Sequence, residues 1–152
     1  MPSIIQYAFT GEAVINSGVS VASILFPDRF LSSLVSGVVP ASTRALFKEF
    51  NAVALGLTVS MVMCVPDSKD AAAIRKVSYA TFAAIEVAVI SVLLWEARKS
   101  ENRGLTANGL TTVLVSLAPT LAWHLYVLVW RPRWFEVAKG QYSRPLVFAC
   151  LI

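Results

Sequence analysis

Three carboxylic acids and one imidazole, Glu12, Glu49, Glu86 and His124, stand inside stretches otherwise suited to hydrocarbon. An ionised carboxylate is expensive in such surroundings, so each of these groups needs a reason to be there. A carboxyl group kept neutral can donate a proton, and an imidazole or a second carboxylate can accept one. Together they suit acid/base work on an apolar substrate drawn from the lipid: double-bond isomerisation, epoxide opening with ring closure, or cyclisation. Glu86, nearest the middle of its segment, is the expected general acid, and His124 or Glu12 its base. Asn16 follows Glu12 by four residues and shares its helical face, where it would position the substrate. Glu49, Asn51, Thr120 and Tyr79 complete the expected lining. Tyr79 lies seven residues before Glu86 and Thr120 four before His124, so each shares a face with its partner.

A plainer reading stands beside this one. Glu12 with Asn16, and Glu49 with Asn51 or Lys48, would then only satisfy one another or cap helix ends. His124 would be an interhelical hydrogen-bonding group. Asp28-Arg29 and Glu96-Arg98 read as interfacial, topological pairs.

The elements that must position these groups are apolar helices. The clearest is Leu110–Trp130, LTTVLVSLAPTLAWHLYVLVW, which has no formal charge; its 21 residues would cross about 30 Å at about 1.5 Å each. Pro119 removes one backbone hydrogen bond and is expected to kink it. Trp123, Tyr126, Trp130 and Trp134 read as aromatic anchors at the headgroup level. Three further spans are expected, at about 5–26, 45–65 and 77–97. The first is the most polar, with Asn16, Ser17, Ser20 and Ser23 beside Glu12. After Pro27 and Asp28, the stretch FLSSLVSGVVP has helical periodicity but is too short to span, which suits a short interfacial helix or a lid. Ser42 or Thr43 is the expected cap of the second span, and PDSKDAAAIRK the polar turn after it, with Asp67 and Ser68 as caps.

Two rows of small residues recur at spacing four. Ala52, Gly56 and Ser60 share the face of Glu49; Ala80, Ala84 and Ala88 lie nearly opposite Glu86. Such rows let helices approach closely in lipid, within one chain or between copies of it in a homo-oligomer.

Composition agrees with a membrane solvent. Of the 152 residues, 57% are hydrophobic and 14% charged, against roughly 45–50% and 25% in soluble domains. One four-helix transmembrane domain therefore accounts for residues 1–152. The net charge of +4 is scattered through short loops, not gathered on one stripe as nucleic-acid binding requires. The expected partners are a lipid bilayer and a hydrophobic small molecule. Cys64 and Cys150 form no metal-spaced cluster, and a disulfide requires them to meet at one depth. No Walker, dinucleotide-glycine, HExxH, GxSxG or haem-ligand pattern is present, so no cofactor or metal is expected. The N-terminus lacks the basic region of a secretory signal, and the reading is of a multi-pass protein of the endoplasmic reticulum or another internal membrane. Four crossings put seven of the thirteen Lys and Arg on the side of the termini and six on the other, a slight vote for cytosolic termini.

A first span ending in LFPDRF, an apolar surface stretch, the acid-bearing FKEFNAVALGLTV and two more spans resemble the small DoxX-like four-helix membrane proteins over about residues 7–130. The layout also resembles short fungal membrane proteins that sit among secondary-metabolite enzymes. The resemblance implies an all-α four-helix bundle. For the fungal group it also implies cofactor-free tailoring of a terpenoid or polyketide. The expected function is thus an isomerase or cyclase; the other expectation is a non-enzymatic carrier or assembly chaperone.

Overall fold

The computed structural model describes residues 4–98 and 104–136. The C-terminal tail beyond Glu136 and Cys150, part of the turn expected after the third span, and four of the basic residues counted for topology (Lys99, Arg103, Lys139 and Arg144) lie outside them. Five helices follow in order: α1 Ile4–Leu25, α2 Pro27–Leu34, α3 Ala41–Met63, α4 Lys69–Ala97 and α5 Ala107–Trp130, closed by a 3-10 turn Pro132–Phe135. α1, α3, α4 and α5 are long and apolar enough to cross a bilayer. The chain is an all-α, multi-pass membrane bundle, as its hydropathy predicts.

Three boundaries differ from expectation for local reasons. Pro27 ends α1 and also begins α2, because proline's fixed φ and missing N–H suit a first helical position. The short helix stops at Leu34, before the end of the stretch FLSSLVSGVVP, and Val38 is exposed. α3 starts at Ala41 on Pro40, with no side-chain cap from Ser42 or Thr43. α4 starts at Lys69, so DAAAIRK is helix and not turn. There Ser68 supplies the expected cap, its hydroxyl accepting from the Ala71 amide at 3.1 Å.

Arg75 therefore lies within α4, 1% exposed. Its Nε donates to the carbonyl of Cys64 at 2.9 Å and its Nη2 to that of Pro66 at 2.7 Å. Cys64 is the C-cap of α3, where the helix dipole favours a cation, and Pro66 lies in the turn that follows. Arg75 is thus a cation that holds the α3–α4 turn and no loop charge.

The spans follow round in the order α1, α3, α4, α5, each close to the next. The ring does not close as tightly: among the described residues no Cα of α1 comes within 8 Å of one in α4 or α5. Long side chains bridge that seam. At the end where α1 begins, Ile5 and Phe9 are fully buried with Tyr79, Val127 and Phe135. The Phe9 ring stands edge-on to Tyr79 at 4.7 Å, and Phe135 to Tyr79 at 5.4 Å. Gln6 adds a hydrogen bond from Nε2 to the Val65 carbonyl at 2.8 Å.

At the opposite end α2 crosses the ring and is tied to α5. Thr106 donates its amide to Leu34 O at 2.8 Å and its hydroxyl to Ser33 O at 3.1 Å. The same hydroxyl caps α5 by accepting from the Gly109 amide at 2.8 Å. Gly37 turns the following strand of chain with φ +80°, a conformation glycine adopts without strain. Gly109 permits the contact itself, since an added Cβ would stand 2.7 Å from both Cα and O of Leu34. Gly109→Ala should therefore lower stability by about 1–3 kcal/mol through overpacking against backbone. Gly56→Ala, where nothing lies within 4 Å, should raise it by about 0.5–1 kcal/mol. Thermal unfolding of both variants in detergent checks the contrast; equal shifts would mean that α2 does not rest on α5.

The small-residue rows are not used where expected. Ala52, Gly56, Ala80, Ala84 and Ala88 are exposed. α1 instead offers α3 its own small side chains: Ser17 donates to the Thr58 hydroxyl at 3.4 Å, and Ala13, Ser20 and Ser23 are buried.

Candidate functional site

Of the eight expected site residues, Glu12, Tyr79, Glu86 and His124 meet in one hydrogen-bonded group that draws on α1, α4 and α5. His124 stands at its centre with its side chain 2% exposed. Its Nδ1 lies 2.9 Å from Glu86 Oε2 and its Nε2 lies 3.2 Å from Glu12 Oε2. The two acids flank it with side chains 11% and 17% exposed, Glu86 the lower. Tyr79 donates its hydroxyl to Glu12 Oε1 at 3.3 Å, and Trp123 donates Nε1–H to that hydroxyl at 3.0 Å. One line of side chains thus runs Trp123, Tyr79, Glu12, His124, Glu86.

Each helix places its members by phase. Tyr79 and Glu86 are seven residues apart on the buried face of α4, which Phe82 and Ala83 share. The Phe82 ring stacks beside His124 at 6.1 Å and Tyr79 meets it edge-on at 4.5 Å. Aromatic walls exclude water, so the polar contacts inside them are stronger than the same contacts in solution.

The proton count follows from the contacts. Each of the two N···O contacts needs one hydrogen between nitrogen and oxygen. The three groups must therefore share two protons, either as an imidazolium between two carboxylates or as a neutral imidazole with one carboxylic acid. The total charge is the same in both, and a proton can pass from one carboxyl to the other through the ring. The contacts also leave no room for a ligand between the acids and the ring.

Asn16 lies one turn beyond Glu12 on α1, as its spacing predicts, but stays exposed. Its amide donates to the Met61 sulfur at 3.6 Å, a weak acceptor. Three expected lining residues are not brought in. Glu49 is exposed on the outer face of α3 beside Ala52 and Gly56. It lies two residues, about 200° of rotation, from Asn51, which is on the face turned to α1. Asn51 is buried, but its amide donates to Phe47 O at 2.8 Å within its own helix. Thr120 likewise donates to Ser116 O at 3.1 Å on α5.

Trp123, expected among the aromatic anchors, donates to the Tyr79 hydroxyl and so joins the group, a role that only its position next to His124 hints at in the sequence. Trp134 and Tyr126 pack with it, and Arg131 donates to the Tyr126 hydroxyl at 2.8 Å, lying over that ring and over Trp134. Exposed Trp130 remains free to anchor. Cys64 is buried and donates its thiol to Ser78 at 3.4 Å. No protein-family model, curated protein or solved structure matches the chain.

Proposed function

We propose that this protein is a membrane-embedded, cofactor-independent isomerase or cyclase, acting by acid/base catalysis on a hydrophobic small molecule such as a terpenoid or polyketide. The observation that carries the reading is His124 held between Glu12 and Glu86, at 3.2 and 2.9 Å, inside a bundle whose outer surface is largely apolar. Glu86, as the carboxylic acid, gives its proton to an alkene, carbonyl or epoxide oxygen of the substrate. Glu12, as carboxylate, takes a proton from a neighbouring carbon, so the substrate changes connectivity without net oxidation. Glu12 then carries the proton and Glu86 the charge while the imidazole keeps its Nε2–H, and the site is reset when Glu12 releases a proton to water and Glu86 takes one up. The resemblance to fungal secondary-metabolite membrane proteins supports the same substrate class, and with it an internal membrane such as the endoplasmic reticulum.

The test is to incubate membranes containing the protein with a lipophilic metabolite extract and compare products with those of Glu86→Gln. The amide keeps the shape but cannot donate the same proton, so product formation should fall about 10²–10⁴-fold. No protein-dependent product over a broad range of lipophilic substrates would remove the enzyme reading. Unchanged turnover in Glu86→Gln would remove only the acid assignment.

One observation favours a second reading, a carrier or assembly chaperone: the small-residue faces of α3 and α4 point outwards. Under that reading the protein co-purifies from mild detergent as a larger assembly, and Gly56→Leu disperses it while leaving the Glu12–His124–Glu86 contacts intact.

A further inference from the structure

The ring of spans has one wide seam, between α1 and α5, and the acid–imidazole group bridges it. From Phe9 towards the start of α1, the seam is shut by large buried rings. From Glu12 towards α2 the flank of α1 that carries Asn16 and Val19 is open, while Ala13, Ser20 and Ser23 are buried. Asn16 and Val19 continue the Glu12 face by the helical repeat, yet both are exposed, Val19 to 50%. About one turn before His124 on α5, Thr120 and Leu121 are half-buried. α2 and its ties to Thr106 and Gly109 cover the water-facing end of this half. The open side therefore faces along the bilayer plane.

We infer that the α2-side half of the α1/α5 seam is a lateral portal and binding site for an un-ionised lipophilic molecule carrying one hydroxyl, carbonyl or epoxide oxygen. The polarity of the site selects that class. A ligand arriving through hydrocarbon arrives without charge, because carrying an ion there is expensive. The Asn16 amide has only a thioether partner and keeps a carbonyl and an N–H to offer. Glu12 is the more exposed of the two acids and lies one turn away. An oxygen seated between them is held beside the relay while its apolar body rests in the seam. An anionic ligand would meet two carboxyl groups and is disfavoured. The inference rests on the acid/base reading of the same group, to which it adds the route and the ligand class.

The test uses the full chain in phosphatidylcholine nanodiscs with three diazirine photoprobes of equal length: a fatty alcohol, an alkane and a fatty acid ionised at the working pH. Labelled residues are mapped by mass spectrometry. The alcohol should label residues 16–19 and 117–121 about tenfold more than the alkane does, as expected for one or two added hydrogen bonds. The fatty acid should not. Val19→Trp, which fills the seam, should abolish that labelling. Asn16→Leu keeps the volume and should leave the alcohol no better than the alkane, which keeps the test decisive if the tryptophan variant does not fold. Alcohol labelling spread evenly over the lipid-facing residues of all spans, or unchanged in both variants, overturns the portal. Seam labelling without turnover of any substrate would support the portal and remove the acid/base reading. Full turnover in a folded Val19→Trp protein would do the reverse.

Discussion

On the proposed acid/base reading, His124→Ala is expected to cut turnover sharply and to loosen the junction between α1 and the α4/α5 pair. The imidazole is almost wholly enclosed and serves both acids, so its loss leaves Glu12 Oε2 and Glu86 Oε2 without their nitrogen partner in one step. A hydrogen bond to a charged group contributes about 1.5–3 kcal/mol, and an abandoned buried acid adds its own penalty; a net loss on the order of 3 kcal/mol follows. Activity should fall by about 10²–10⁴-fold, because the two carboxyl groups lose the imidazole that holds one of them as the acid and the other as the carboxylate. Glu12 remains hydrogen-bonded to Tyr79, so the fold should survive at low temperature. Thermal unfolding in detergent and product formation in membranes measure the two effects separately. A variant with unchanged unfolding temperature and turnover would mean that the imidazole is a bystander.

The second large effect should come from Arg75→Met. The methionine fills much of the same volume but cannot donate, and leaves the buried carbonyl of Cys64 and the part-buried carbonyl of Pro66 without that donor. Losing the donor costs about 1–3 kcal/mol at a buried carbonyl and less at a part-buried one, so a loss of about 2–3 kcal/mol is expected. Arg75→Lys should recover part of it, since one ammonium can reach one carbonyl but lacks the planar fork. The same variant should expose Cys64, whose maleimide labelling, followed at that residue by mass spectrometry, should accelerate in parallel. A stable Arg75→Met protein with Cys64 still protected would show that the α3–α4 turn is held by other means.

The bundle class and four spans were legible in the chain because hydropathy and segment length are local properties, read without knowing any neighbour. So was the pairing of Tyr79 with Glu86 and of Asn16 with Glu12, because helical phase fixes which residues share a face. Ser68 is legible as a cap by type and position, but the helix it opens starts at Lys69 and not at the expected Val77. What a single segment cannot carry is the rotation of each helix about its axis and the order of the helices in the ring. In water an apolar stripe reveals the inward face; in lipid both faces are apolar, and that signal is lost. Glu49 and the Ala52–Gly56 row therefore looked inward from the sequence and stand outward in the fold, while Glu12 looked similar and meets His124. Arg75 looked like a loop charge because its acceptors are backbone carbonyls, which no residue type announces. The open α1/α5 seam likewise depends on which side chains are long where two helices face each other. Residue type alone set the membrane as the solvent, and packing alone chose which two acids share an imidazole.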